Sequence, residues 1–199
     1  HVKGLESEEI NNEIISSLFS NFGNISRLLF LKKKHTALVE YIDQDSASVA
    51  KEMLNNLTFF GSQLKVSYSN YASIDENIAS SNNPEKFKDI YVPNSKTFRF
   101  KEYKKISINP PSKVLHLSNI AKEIYNERDI TELFSKYATV KKVKLIKASE
   151  EEKCMALVEL STLESALVCI STIHNKLFFS RYNQSNLRNL KISFTRSKA

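Results

Sequence analysis

The sequence contains very little glycine, and this shortage excludes two common kinds of nucleotide-binding site. Only three glycines occur among its 199 residues, at Gly4, Gly23 and Gly61. A Walker loop and a dinucleotide-binding fingerprint each need two or more glycines within a few positions of one another. The sequence therefore excludes the commonest nucleotide-hydrolysing and redox enzymes.

Cysteine is scarce as well, and its spacing argues against a metal site. Cys154 and Cys169 are the two cysteines of the chain, and neither belongs to a CxxC pair. Zinc sites and disulfide frameworks need several cysteines or histidines at characteristic spacings. We therefore expect two reduced, buried thiols, no metal ion and no cofactor.

Long apolar runs are missing too. No run approaches the roughly 18 residues that a membrane-spanning helix requires. The opening residues, HVKGLESEE, do not show the basic and then apolar order of a secretion signal. We expect neither a membrane span nor a secretion signal in this sequence.

Basic residues exceed acidic ones, mainly in the second half of the chain. The formal net charge is +7. Residues 1–70 carry seven Lys and Arg against eight Asp and Glu, and residues 114–199 carry fourteen against nine. A basic excess favours a polyanionic partner such as nucleic acid, although an excess this modest is also typical of an ordinary solvated surface.

The chain repeats itself, and the spacing between the copies changes only in polar segments. The spacing is 115 residues at first, then 119, and finally 126. Insertions confined to loops are typical of two copies of one fold, because loops tolerate changes of length that helices and strands do not. The aligned segments are HVKGL (1–5) with HLSNI (116–120), IISSLFSNFGNI (14–25) with DITELFSKYATV (129–140), ALVE (37–40) with ALVE (156–159), and LKVSYS (64–69) with LKISFT (190–195).

Each copy is predicted to have the element order βαββαβ, since apolar residues follow the periods of strands and helices in that order. This is the ferredoxin-like α+β arrangement, in which two helices cover one face of a four-stranded sheet. We predict helix caps at Asn11 or Asn12 and at Asn126, and a capping box formed by Ser161 and Glu164. The predicted domains are 1–75 and 113–199, joined by a linker at 76–112. The predicted strands are 1–5, 25–32, 36–42 and 64–69 in the first copy and 114–120, 140–147, 155–161 and 190–195 in the second, with second helices at 44–55 and 163–174.

The strand VLHLSNI (114–120) places a histidine among apolar residues. Such a histidine is more often a packed core residue than a functional one. Side chains alternate across a strand, however, so if Leu115 and Leu117 face the helices, His116 and Ser118 lie on the open face of the sheet. An open face that mixes lysines, hydroxyls and apolar residues suits single-stranded nucleic acid. A covering helix or a partner protein is the alternative.

These strands resemble the RNA recognition motif. VLHLSNI is similar to its first-strand signature, while KHTALVEY (34–41) and KCMALVEL (153–160) are similar to its third-strand signature. Typical members carry base-stacking aromatics at two positions of that strand. This chain has Thr36 and Leu38 there in one copy and Met155 and Leu157 in the other, so we expect weaker stacking.

Leucine in an aromatic position, the run LHLSNI and the preceding NPPSKV together resemble the last two motifs of the polypyrimidine-tract-binding protein family. The resemblance implies binding of short pyrimidine stretches of single-stranded RNA, a part in splicing or other mRNA processing, and residence in the nucleus, with cytoplasmic residence left open. We expect the chain to be a monomer. By position it implies RNA-binding residues in the second copy at His116, Ser118, Lys144, Met155, Leu157, Lys191 and Ser193. In the first copy the corresponding residues are Lys3, Leu29, Thr36, Leu38, Lys65 and Ser67, with His1 aligned to His116.

The resemblance also implies that the two copies pack together through their helical faces and the linker. The apolar residues that we assign to this interface are Ile14, Leu167, Ile170, Phe98, Phe100, Ile106 and Ile108. The alternative is that these residues only thicken each core.

Two functional hypotheses remain open. The first is a non-enzymatic pair of motifs that binds two pyrimidine tracts and loops the RNA between them. The second is a protein-interaction module that uses a helical face, with partners in the RNA-processing machinery. We expect neither an enzyme nor a membrane protein, since the acidic residues and histidines form no evident catalytic dyad or triad.

Overall fold

A computed structural model describes residues 1–75, 90–95, 98–100, 108–120, 125–146, 154–180 and 183–199, with the backbone alone at 177–180 and 183–188. The chain divides into two compact units, His1–Ile108 and Asn109–Ala199, which we call the first and second units. Most of the linker predicted at 76–112 lies outside the described residues.

The first unit has a mixed sheet-and-helix structure. Its sheet has the strand order β6-β1-β3-β2-β7, and a separate two-stranded hairpin joins β4 to β5. The last strand of the sheet, β7, pairs antiparallel with β2 and was not expected from the sequence. The elements are β1 (Val2–Lys3), α1 (Asn12–Phe19), β2 (Ile25–Leu31), a 3-10 turn (Lys32–Lys34), β3 (Thr36–Tyr41), α2 (Gln44–Leu54), β4 (Thr58–Phe59), β5 (Ser62–Gln63), β6 (Lys65–Val66) and β7 (Ile90–Tyr91).

The second unit repeats the same architecture with longer strands at the sheet edge. Its sheet has the order β13-β8-β10-β9, and β11 and β12 form a separate hairpin. The elements are β8 (Val114–Ser118), α3 (Glu127–Ser135), β9 (Val140–Ile146), β10 (Met155–Leu160), α4 (Leu163–Ile173), β11 (Leu177–Ser180), β12 (Asn183–Asn189) and β13 (Lys191–Phe194). The two predicted βαββαβ copies and the α+β fold class are confirmed.

The helices begin where short polar side chains satisfy free backbone amides. The Asn11 side chain accepts a hydrogen bond from the Ile14 amide at 2.9 Å, and Asn126 does the same for Asp129 at 2.8 Å. The cap predicted at Ser161 is wrong by one residue, because Thr162 Oγ1 accepts from the Ser165 amide at 3.0 Å. A capping side chain accepts from the amide three residues later, and in this helix that side chain belongs to Thr162.

Equivalent backbone positions in the two units share an unusual conformation, which supports the duplication. Gly4 and Asn119, at the ends of the first strands, have φ angles of +87° and +60°. Asn56 and Asn175, after the second helices, have φ angles of 66° and 59°. Left-handed backbone is most accessible to glycine and asparagine, so the same turns recur with residues that tolerate them.

Each core lies between one sheet face and the two helices. In the first unit Ile15, Leu18 and Leu28 are all fully buried, as are Ala156, Leu167 and Ile170 in the second. The opposite face of each sheet carries the side chains that the alternation of the strands turns away from the helices. That face is where the predicted binding residues lie.

Candidate nucleic-acid interface

The open face of the second unit presents a row of four side chains across the whole sheet. Backbone pairing places Ser193 opposite His116, His116 opposite Leu157 and Leu157 opposite Lys144. Residues directly opposite one another share a face and have Cβ atoms about 5 Å apart. The row therefore combines a hydroxyl, an imidazole, an apolar side chain and an ammonium group in one line.

A second row of side chains lies on the same face, two residues further along the strands. Lys191 pairs with Ser118, and Met155 pairs with Ile146. Lys144 and Lys191 are exposed, whereas Ser118, Met155 and Ser193 are half-buried. The structure thus brings together all seven residues predicted in the second copy, with both lysines accessible to an anionic partner.

Two members of this face are less accessible than the others. Leu157 is only 5% exposed although it points away from the helices. His116 is half-buried, and burial lowers the pKa of its imidazole below the usual value of 6.5. The ring is therefore neutral at pH 7, and a neutral imidazole offers one donor and one acceptor nitrogen to a base edge.

The first unit has a basic row in the corresponding place. Lys65 pairs with Lys3 and Lys3 with Thr36. Lys3, Lys65 and Ser67 are exposed, and Thr36 is half-buried. His1 lies beside Ser67, because two backbone hydrogen bonds join them. The His1 backbone nitrogen donates to the Ser67 carbonyl at 2.8 Å, and the Ser67 amide donates to the His1 carbonyl at 2.9 Å.

The centre of the first sheet is covered by the chain itself. Leu29 and Leu38, predicted to contact RNA, are 2% and 6% exposed and pack against Ile74, which is 4% exposed. Leu31 and Ile90 pack against the same cluster. We call residues 67–74, which follow β6 and end on this cluster, the covering segment. The two leucines are on the predicted face, but they are not accessible at its surface.

Two charged side chains hold Ile74 by its backbone. An Arg27 guanidinium nitrogen donates to the Ile74 carbonyl at 2.7 Å, and the Ile74 amide donates to a Glu40 carboxylate oxygen at 2.7 Å. Arg27 and Glu40 are cross-strand partners on the open face. The sequence analysis did not predict this arrangement. Two signals were present: the apolar Ile74 within the mostly polar segment SNYASID (69–75), and the opposite charges of Arg27 and Glu40 on strands predicted to be neighbours.

The second unit has a related contact at the equivalent position. Lys142, which aligns with Arg27, donates to the Ala199 carbonyl at 2.8 Å. Lys142 pairs with Glu159, the counterpart of Glu40. In both units a basic side chain on the second strand therefore bonds to backbone further along the chain, after β6 in the first unit and after β13 in the second.

The residues predicted at an interface between the copies differ in burial. Leu167 and Ile170 are fully buried, while Ile14, Phe98, Phe100 and Ile108 are half-buried. Ile106 lies outside the described residues. The assignment of these residues to an interface stays a prediction.

Both cysteines are free and buried, as expected. Burial raises the pKa of the Cys169 thiol to about 12, so this group remains protonated at neutral pH. Within the described ranges, no three histidine, cysteine or acidic side chains are grouped as a metal site would need. No helix in the described part of the chain has the length and apolar character to cross a bilayer.

Several solved structures are similar to this chain at low identity. The structure of the Rna15 RRM with bound RNA (GU) is 22% identical, with a TM-score of 0.35, over 44% of this chain and 86% of that one. A Sxl-lethal protein–RNA complex is 16% identical, with a TM-score of 0.34, over 98% and 96%. The three N-terminal RNA-binding domains of the yeast splicing factor Prp24 are 15% identical, with a TM-score of 0.35, over 100% and 98%.

Family models give the stronger result. The model described as the RNA recognition motif, also called the RRM, RBD or RNP domain, matches residues 1–93. A second RNA recognition motif model matches residues 115–183. Together they match well over half of the chain and fall on the two units described above. The chain belongs to the RNA recognition motif family and carries two of these RNA-binding modules in tandem.

Proposed function

We propose that this protein binds single-stranded, pyrimidine-rich RNA, with the open face of the second unit as the principal reader. The row Ser193, His116, Leu157 and Lys144 is the observation that supports this most directly. Its lysine meets phosphate, while the neutral imidazole and the hydroxyl hydrogen-bond to base edges. The preference for pyrimidines is proposed from the resemblance to the polypyrimidine-tract-binding family.

The proposal extends to the biological role that the resemblance to the polypyrimidine-tract-binding family implies. Both units bind pyrimidine tracts, and the RNA between the tracts is looped during splicing or other mRNA processing in the nucleus. Two linked modules raise the affinity for a two-tract RNA through effective concentration, provided that the spacer reaches both sites. The protein-interaction alternative drew on the apolar residues of helix 163–174, two of which, Leu167 and Ile170, are fully buried.

The first test compares the binding of fluorescent CUCUCU, polyA and polyG single strands to the whole chain at two salt concentrations. We expect pyrimidine selectivity and an affinity that falls as salt rises. Lys144→Glu should weaken CUCUCU binding by roughly tenfold or more and reduce the slope of log affinity against log salt by at least about 1. The matched control is Lys136→Glu, since Lys136 is also exposed but follows helix α3 instead of lying on the sheet.

Each outcome has a definite meaning. Equal binding to all three strands would remove the pyrimidine preference, and equal losses from Lys144→Glu and Lys136→Glu would remove the open face as the reader. Looping is tested with two CUCUCU tracts joined by spacers of increasing length. If affinity for the long two-tract RNA does not exceed that for one tract, the two units do not act together.

A further inference from the structure

The first unit exposes two tyrosines just after β6. Tyr68 is 59% exposed and Tyr71 is 51% exposed. Both belong to the covering segment rather than to the strands in which the family carries its base-stacking aromatics. The third strand of this unit has Thr36 and Leu38 in those places.

Tyr68 has a structural role that the contacts explain. Its hydroxyl donates to the Ser48 hydroxyl at 3.1 Å, and the Lys51 ammonium lies 4.2 Å from the centre of its ring. Both partners belong to helix α2. Tyr68 therefore fixes the start of the covering segment against this helix, while Ile74 fixes its end on the sheet.

Tyr71 lies between these two fixed points and lines a groove. Its backbone amide donates to the Ser69 hydroxyl at 3.1 Å, which sets the local turn. The groove has a volume of about 540 Å³ and runs between the covering segment, the ends of β1 and β3, and helix α2. Its polar lining includes Ser67, Ser69, Ser73 and Gln44. A volume of several hundred Å³ with aromatic, hydroxyl and amide groups suits one nucleobase.

The acidic residues of the groove are already engaged. The two Asp43 carboxylate oxygens accept from the Ser46 amide at 2.8 Å and the Ser46 hydroxyl at 2.7 Å. Glu40 accepts from the Ile74 amide. On the basic side, Lys51 lines the groove, and exposed Lys65 stands two residues before Ser67. The groove lining thus carries two carboxylates and one lysine, and the cations available to phosphate are Lys51 and the paired Lys65 and Lys3 of the neighbouring strands.

We propose that this groove binds one base of a single-stranded RNA, stacked on the ring of Tyr71, with the adjoining phosphates near Lys65 and Lys3. The inference rests on the proposed RNA-binding function and adds a site to it. The covering segment blocks Leu29 and Leu38 at the centre of the sheet and supplies an aromatic surface beside them. Stacking on an aromatic side chain tolerates any base, so this site adds affinity more than sequence preference.

The test uses the whole chain carrying Lys144→Glu, so that binding by the first unit is measured above a weakened second unit. In this background, Tyr71→Ala should weaken binding of a fluorescent single strand by roughly tenfold. Tyr71→Phe keeps the ring and should bind like its parent. The matched control is Tyr137→Ala, because Tyr137 is an exposed tyrosine, 40% exposed, in the second unit.

A second measurement separates contact from folding. A strand containing 4-thiouridine, crosslinked by light to the otherwise unmodified chain, should give a peptide containing Tyr71 and none containing Tyr137. If Tyr71→Ala and its parent bind equally, or if no crosslink reaches Tyr71, this proposal is wrong while the proposed function stands. If the chain without substitutions binds no RNA at all, the proposed function itself fails.

Discussion

The two units share one fold but present different surfaces on the same side of the sheet. In the second unit, His116 and Lys144 lie in one row and the lysine is exposed. In the first unit, Ile74 packs on the central leucines Leu29 and Leu38, and the exposed lysines of this face lie on β1 and β6. The central leucine is buried in both units, since Leu38 is 6% and Leu157 is 5% exposed. The arrangement of the equivalent strands is thus the same in both units, while in the first unit the segment after β6 covers part of the open face.

The largest expected effect concerns Gly4 and its counterpart Asn119. A Cβ at Gly4 would lie 2.2 Å from the Gln63 carbonyl oxygen, and the backbone there has φ +87°. Gly4→Asn should therefore destabilise the first unit by about 2 to 3 kcal/mol. The reverse change, Asn119→Gly, should alter the second unit by less than about 1 kcal/mol. Urea unfolding followed by NMR signals from each unit measures both, and equal effects would mean that the turns are interchangeable.

The next effect tests the cover of the first sheet. Ile74→Ala should destabilise the first unit by about 2 kcal/mol, because it removes buried apolar contacts with Leu29 and Leu38. The control is Val92→Ala, since Val92 is 65% exposed and should change stability by no more than about 0.5 kcal/mol. Urea unfolding measures both changes. If Ile74→Ala lowers the free energy of unfolding no more than Val92→Ala does, the covering segment does not stabilise the first unit.

A smaller effect compares the basic side chains that hold the covering backbone in each unit. Arg27→Ala should cost about 1 kcal/mol, because it leaves the Ile74 carbonyl without this charge-assisted hydrogen bond. Lys142→Ala should cost less than about 0.5 kcal/mol, since its bond to Ala199 is exposed. A double-mutant cycle of Arg27→Ala with Glu40→Ala would show coupling if the two act on one segment. Purely additive costs would contradict that.

The smallest effect is a pH dependence in the second unit. Burial lowers the pKa of His116 in the folded protein, so the unfolded chain binds the proton more readily below pH 6.5. The contribution of His116 to the free energy of unfolding is therefore fully present above pH 6.5. It decreases as the pH falls through the lowered pKa of the folded protein. NMR titration of the imidazole should show the lowered pKa. His116→Gln should reduce the difference between the free energies of unfolding at pH 7.5 and pH 5.5. If that difference stays the same, other groups cause the pH dependence.

Sequence reasoning succeeded where local periodicity controls the structure. The side chains of β8 alternate as predicted, with Leu115 and Leu117 buried and His116 and Ser118 partly accessible. Strand alternation is a property of the backbone itself, so the assignment of the open face needed no tertiary information. The short strands were less accurate, because β6 is only two residues long where six were predicted.

The covering of the first sheet illustrates what periodicity cannot reveal. Ile74 lies eight residues beyond β6 in a polar run with no helical or strand period. Its burial depends on Leu29, Leu38, Arg27 and Glu40, which are distant in sequence and meet only after the strands pair. Strand β7 (Ile90–Tyr91) could not be predicted for a similar reason, because it forms by pairing with the edge of β2, which is distant in sequence.

The sequence by itself determined the duplication, the βαββαβ order and the face of each strand, because these follow from local spacing and from the alternation of side chains. Only the tertiary structure decided which residues of that face are accessible. Accessibility depends on where a segment without periodicity lies, and that position depends on long-range hydrogen bonds and apolar contacts that form after the sheet has assembled.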